Sequence, residues 1–219
     1  MANITAKDIN ELRKATGVGL MDCKQALIEA EGDMNKAIYI LRKKGQKVAS
    51  KRADRETNEG VAIGRTNKNG TYAVMFTLTC ETDFVSKGEE FINAAEDIMN
   101  TAIENKIKTI DELKSAKLLN QDILVSDLIN NLLGKIQEKI EIINFEYFEA
   151  PYIAVYNHHN KKISALVGFQ KQVNNIEEVG KDIAMQVAAM APISIDESSV
   201  PQEVIEKELE IARDQIRQE

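Results

Sequence analysis

Residues 72–88 read YAVMFTLTCETDFVSKG. The run from Tyr72 to Leu78 is strand-like, being rich in apolar, aromatic and β-branched residues. Just upstream, Val61 to Arg65 forms a second such run. The two flank Asn67-Lys68-Asn69-Gly70, whose closing Asn-Gly is a strong hairpin signal. Downstream, Phe91, Ala94, Ala95, Ile98 and Met99 recur with helical period. A hairpin that runs straight into a helix sets the class as α+β. Between them lies a tip, Thr82-Asp83-Phe84-Val85, with Lys87-Gly88 leading into the helix. A carboxylate beside an aromatic ring at such a tip suits insertion into a partner: the carboxylate competes for donors or a metal while the ring wedges into an apolar slot. The competing reading of the same residues is Thr82 as an N-cap followed by a core Phe84.

Toward the N-terminus, Thr5 is a plausible N-cap with Asp8 three residues on, and Ile9 and Leu12 share a face. Gly17 is suited to end that helix in a left-handed conformation. A second helix carries Cys23, Ala26, Leu27 and Ala30 at spacings of three and four, and Glu31-Gly32-Asp33 breaks it. Asp33 caps a third, with Ala37, Ile38 and Leu41 as its apolar face and Gly45 as its expected stop. Residues 1–48 are therefore expected to form a compact three-helix bundle. Residues 49–57 follow as a linker, within a basic stretch that runs from Lys43-Lys44 through Lys47, Lys51 and Arg52 to Arg55.

Residues 58–141 form the next part, with further helices expected over 110–116 and 125–140. The part from 142 to 200 opens with Ile142 to Phe148. A second hairpin follows, Tyr152 to Tyr156 and Ile163 to Phe169, turning through Asn157-His158-His159-Asn160-Lys161-Lys162. A helix from Ile176 to Ala191 looks apolar enough around Ile183, Val187 and Met190 to be buried, and Pro192 stops it. Hairpin plus helices thus occurs twice, as in an internal structural duplication. Pro201 opens a final helix over 201–219, with Val204, Ile205, Leu209 and Ile216 as its apolar set. A lone amphipathic helix is marginal, so this one is a candidate for self-association.

Two segments carry a family resemblance. Leu12-Arg13-Lys14-Ala15-Thr16-Gly17-Val18-Gly19-Leu20-Met21-Asp22-Cys23-Lys24-Gln25-Ala26-Leu27 resembles the N-terminal signature of bacterial elongation factor Ts, and Cys80-Glu81-Thr82-Asp83-Phe84-Val85-Ser86-Lys87 resembles that family's second signature. They stand in the expected order. The resemblance implies a ubiquitin-associated-like bundle, a core of two related α+β subdomains, each an antiparallel hairpin sheet with packed helices, and a chain truncated within a coiled-coil region. It also implies guanine-nucleotide exchange on elongation factor Tu. The factor binds the GTPase·GDP complex, weakens nucleotide and Mg²⁺ binding, and is expelled when GTP enters. On this reading Phe84 inserts between elements of the GTPase domain, Asp83 holds the loop and perturbs polar contacts, and Thr82 and Val85 shape it. Leu20 and Met21 bury an apolar patch against a GTPase helix with Arg13 and Lys24 beside them, and His158 touches the partner from the second hairpin. Thr77 and Thr79 depart from the signature, standing where Glu and Asn are common.

The rest of the composition narrows the alternatives. A net charge of −7 and a hydrophobic fraction of 43% suit a soluble globular protein and argue against a broad phosphate-binding surface, so no nucleic-acid partner is expected. No apolar run is long enough to span a bilayer and no signal-peptide h-region opens the chain, which leaves the cytoplasm as the default. Cys23 and Cys80 are too few for a disulfide framework and lack metal-ligand spacing. The only histidines are His158 and His159. No Walker-type loop, Gly-x-Ser-x-Gly elbow or His-Glu-x-x-His is present, so no cofactor, metal or catalytic set is expected. Two other classes compete with exchange: a ubiquitin-associated or nascent-chain-binding module, which has no need of the tip, and an enzyme using an Asp or Cys80 nucleophile, which lacks a nearby base.

Overall fold

The computed structural model describes residues 4–218. Helix α1 (Ala6–Thr16) opens on a reciprocal capping box: the Thr5 side chain accepts from the Asp8 amide and the Asp8 carboxylate accepts from the Thr5 amide. Gly17 closes it in the left-handed region at φ 67, donating its N–H to the Arg13 carbonyl over 2.7 Å. Helices α2 (Leu20–Glu29) and α3 (Met34–Lys51) complete the bundle, with Asp33 accepting from the Lys36 amide at the start of α3. Leu12, Val18, Cys23, Ala26, Leu27, Ala30, Ala37 and Leu41 form its core.

Gly45 does not stop α3, which continues to Lys51. The missing Cβ serves close approach instead: one built on Gly45 would lie 2.7 Å from the Asn130 carbonyl oxygen, and the site for a Cβ on Gly134 faces the Gly45 Cα at 3.5 Å. Within the basic stretch, Lys44 pairs with Asp22 and Arg52 with Glu81. The side chains of Lys47 and Lys51, and the terminal Glu219, lie outside the described residues.

The second core is built on strands β1 (Glu59–Thr66) and β2 (Tyr72–Cys80), which pair antiparallel from Glu59↔Cys80 to Thr66↔Ala73. Gly70, at φ 66, makes the turn between them. A single helical turn, α4 (Asp83–Ser86), leads to α5 (Glu89–Glu104), and α6 (Ile110–Ser115) and α7 (Val125–Ile136) follow. Tyr72, Val74, Phe76, Leu78 and Cys80 alternate onto one face of β2 and pack against Phe91, Ala95, Ile98 and Met99 of α5. Helix α7 ends at Ile136 rather than continuing to residue 140, because Gln137 turns into the left-handed region at φ 60.

Strand β3 (Glu141–Glu149) pairs with β2, giving a sheet of order β1-β2-β3. The segment expected to open the third part therefore completes the first sheet. Its register slips by one residue between Met75 and Thr77, where Asn144 sits at φ 51 as the extra residue of a bulge. Strands β4 (Tyr152–Asn157) and β5 (Ser164–Phe169) form the second hairpin, and α8 (Ile176–Met190) lies on it.

Burial of α8 is narrower than its apolar residues suggest. Only Gly180 and Ala184 are buried, while Ile183 and Met190 are exposed. Gly180 lets the helix come close enough that a Cβ there would sit 3.0 Å from both Ala154 and Tyr152. The contact is made through small residues, and the large ones turn away from a sheet of two strands. Helix α9 (Gln202–Gln218) follows a 3-10 turn at Glu197–Ser199, with Leu209, Ile211 and Ile216 exposed.

The architecture is α+β: a three-helix bundle, then two antiparallel sheets, each with packed helices. Among the described residues no helix is long and apolar enough to cross a membrane.

Candidate functional site: an exposed tip on a braced strand end

Strand β2 carries the chain out of the core at Cys80, and the backbone is still extended at Thr82 (φ −124, ψ 155). One helical turn then reverses the direction. The Ser86 amide donates to the Thr82 carbonyl (3.2 Å), the Lys87 amide to Asp83 (3.1 Å) and the Gly88 amide to Val85 (2.9 Å). This turn sorts its side chains by face. Ser86 is buried and Val85 packs against the larger core, whereas Phe84 is 86% exposed. Thr82 does occupy the N-cap position, but Phe84 is not a core residue. The ring of Phe84 is therefore open to solvent and free to be contacted.

Asp83 is clasped by Lys87 one turn on, at 2.7 Å. The Lys87 ammonium, by hydrogen bond and charge, holds the Asp83 carboxyl below its ordinary range, so Asp83 carries its negative charge at neutral pH. Both groups are open to solvent, so the pair orders the tip more than it stabilises the fold. Together they present an ion pair beside an apolar ring.

The Thr82 hydroxyl does not cap α4. It donates to Glu138 Oε1 over 2.7 Å, and the amides of Glu81 and Thr82 donate to Glu138 Oε2 over 3.1 and 3.0 Å. In return, Glu81 Oε1 accepts from the Lys139 amide (2.7 Å) and from Arg52 (2.8 Å). The Lys139 amide, then Arg52, hold the Glu81 carboxyl below its ordinary range. Sequence reading missed Glu138 altogether, since nothing local marks a partner 56 residues from the tip.

Thr79, one of the two departures from the signature, is buried beneath this brace. Its hydroxyl lies 3.0 Å from that of Thr57 and 3.2 Å from the Glu141 carbonyl, tying β2 to its neighbours on both sides. Thr77 sits on β2 opposite Ala62 and Ile143.

The second hairpin docks on the free edge of β1. Asn157 imitates a strand there: the Gly64 amide donates to its Oδ1 (2.8 Å) and its Nδ2 donates to the Gly64 carbonyl (2.9 Å). The Ala62 amide donates to the Lys161 carbonyl over 2.7 Å. His158 is half-buried on the turn, with Nδ1 2.7 Å from the Tyr156 hydroxyl and its ring 4.2 Å from that of His159. Lys162 pairs with Glu59, which faces Cys80 across the hairpin. The His158 turn and the tip thus rise from the same end of the first sheet.

The N-terminal candidates sit on the bundle. Leu20 is 45% and Met21 70% exposed in the first turn of α2, so neither points inward, and Arg13 and Lys24 are exposed too. They are not part of the tip; among the described residues the bundle meets the elements around it through the α3–α7 crossing, the approach of Lys135 to Gly17, and Arg52. The main grooves, about 600 Å³ between α2 and α3 and about 640 Å³ between the bundle and α5–α7, lie away from Asp83 and Phe84.

Cys80 is fully buried, and burial, then the nearby Glu138 charge, pushes its thiol up to about 12. Cys23 is also fully buried and donates to the Val18 carbonyl. Neither thiol is poised as a nucleophile. In the folded protein neither is expected to react with a disulfide reagent at pH 8 within minutes, and both should react in denaturant; fast labelling of Cys80 in the native state would revive the nucleophile reading. Among the described residues no group of three or more His, Cys, Asp or Glu is placed to hold a metal.

Exposed apolar side chains at two points, Phe84 and Leu20-Met21, each stand on a separate packed core of this α+β protein. The family model described as Elongation factor TS matches residues 81–219. The Elongation factor Ts of Christiangramia forsetii is 48% identical over 219 residues, covering 100% of this chain and 78% of that protein. That of Flavobacterium psychrophilum is 44% identical with the same coverage, and that of Bacteroides thetaiotaomicron is 44% identical over 217 residues, covering 99% of this chain and 64% of that protein. The chain belongs to the elongation factor Ts family.

Proposed function

We propose that the chain is a guanine-nucleotide exchange factor for elongation factor Tu in protein synthesis, acting in the cytoplasm and binding the GTPase in its GDP-bound and nucleotide-free states. It needs no cofactor and no nucleic acid of its own. The observation that supports this beyond family membership is Phe84, 86% exposed at the end of a braced strand. The loop Thr82-Asp83-Phe84-Val85 inserts near the partner's Mg²⁺ and phosphate region. The ring displaces side chains that support the metal, and the Asp83 carboxylate competes for polar contacts there. Binding energy spent on the nucleotide-free state lowers the affinity for GDP by the same factor that GDP lowers the affinity for the chain.

Leu20 and Met21, flanked by Arg13 and Lys24, form the second contact and supply affinity. His158 forms the third, from the turn that shares the tip's end of the sheet. The exposed apolar side of α9 is the candidate surface for self-association. A ubiquitin-associated or nascent-chain-binding module is the weaker reading, because such a module leaves the exposed ring of Phe84 unexplained.

The test is release of a fluorescent GDP from elongation factor Tu under excess unlabelled nucleotide. Acceleration by substoichiometric chain supports exchange, and unchanged release with no detectable binding contradicts it. Within that assay Met21→Asp is expected to raise the concentration needed for half-maximal rate by roughly tenfold or more. The fold should be unaffected, since Met21 is exposed and an acidic residue is compatible with the first turn of a helix. An unchanged half-maximal concentration would remove Met21 from the interface.

A further inference from the structure

The loop that carries Phe84 is too short to hold itself. Its one helical turn has few internal hydrogen bonds, and its N-cap hydroxyl is directed elsewhere. We propose that Glu138 is a positioning residue of the exchange loop: its carboxylate gathers the amides of Glu81 and Thr82 and the hydroxyl of Thr82, so that Phe84 meets the partner already oriented. This inference rests on the exchange reading above.

Three features support it. The contacts use both carboxylate oxygens and end where the tip begins, with two donors on Oε2 and one on Oε1. The brace is reciprocal, because Glu81 takes the Lys139 amide while Glu138 takes the Glu81 amide. It is also aimed by a backbone feature: α7 stops at Gln137, a non-glycine residue at φ 60, and this turn brings Glu138 back toward residues 81 and 82. A left-handed non-glycine residue is strained and persists where its surroundings require it. Through Arg52, which follows α3 and donates to the same Glu81 Oε1 that accepts from the Lys139 amide, the cluster meets the end of the N-terminal bundle.

Hydrogen bonds to a charged acceptor are the stronger kind, and fixing a contact residue before binding removes an ordering cost from the encounter. Glu138→Gln keeps the size but replaces one acceptor oxygen with an NH₂ that faces amide donors. It is expected to lower the efficiency of GDP release roughly 10- to 100-fold, and to speed hydrogen exchange of the Glu81 and Thr82 amides. Thr82→Val, which removes only the hydroxyl contact, should give a smaller loss that Thr82→Ser restores.

The decisive arm combines Glu138→Gln with Phe84→Ala. Because Glu138 acts through Phe84, the double variant should be no slower than Phe84→Ala alone. Wild-type efficiency in Glu138→Gln, or an equal fold-loss in both backgrounds, would overturn the proposal. A wild-type chain that releases no GDP would instead defeat the exchange reading. Amide exchange at residues 81 and 82 would then decide alone whether Glu138 orders the loop, with unchanged protection in Glu138→Gln counting against it.

Discussion

Replacing Phe84 with alanine is expected to slow GDP release from elongation factor Tu roughly 30- to 1,000-fold, the range that corresponds to losing about 2–4 kcal/mol at a central aromatic contact. The fold should scarcely notice. Phe84 is 86% exposed and its neighbours Val85 and Ser86 already fill the space beneath the turn. A surface change of this kind alters stability by about 0.5 kcal/mol or less, or about 1–2 °C in melting temperature for a chain of this size. Thermal melting and GDP release on the same sample therefore separate the two roles. A normal exchange rate in Phe84→Ala would remove the wedge, and a large drop in melting temperature would return Phe84 to the core.

Phe76→Ala is expected to do the opposite. Phe76 sits on the same strand, eight residues before Phe84, and is fully buried among Val74, Leu78, Phe91 and Ile98. Emptying that space removes buried apolar area and leaves a cavity that the sheet and α5 can close only in part. The loss is about 3–5 kcal/mol, or roughly 6–20 °C at about 2–4 °C per kcal/mol. At temperatures where the variant stays folded, its tip is intact and GDP release should remain within a few-fold of wild type. Exchange lost at low temperature, with folding retained, would show that strand position and loop action are more tightly coupled than the brace at Glu138 implies.

The two phenylalanines also show what the sequence could and could not disclose. Phe76 lies in a run, 72–78, that was legible as a strand, and the structure shows the alternation that buries it with Val74 and Leu78. Phe84 had two readings, wedge or core, and the one-turn geometry of α4 removes the core reading. The capping of α1, the Gly17 stop and the Asn-Gly hairpin were legible because each is encoded within a few residues. Gly45 misled because glycine ends helices and also permits close crossings, and the sequence does not say which one the fold uses. The partner of β3 was not legible for a similar reason: a run of apolar residues announces a strand, while register and neighbour depend on residues 62 to 77 positions away. For α8, helical spacing identified an apolar set but not the width of the surface available to cover it. Glu138 was invisible because a carboxylate after a helix has no local signature of its long-range donors.

The most direct measurement is a pair of affinities: this chain for elongation factor Tu with and without saturating GDP, and GDP for elongation factor Tu with and without saturating chain. The expected result is that each affinity falls by the same factor, roughly 10- to 150-fold, and that Phe84→Ala brings both ratios toward one. Equal affinity of the chain for the GDP-bound and nucleotide-free GTPase would contradict exchange outright, since a ligand that does not distinguish two states shifts nothing between them.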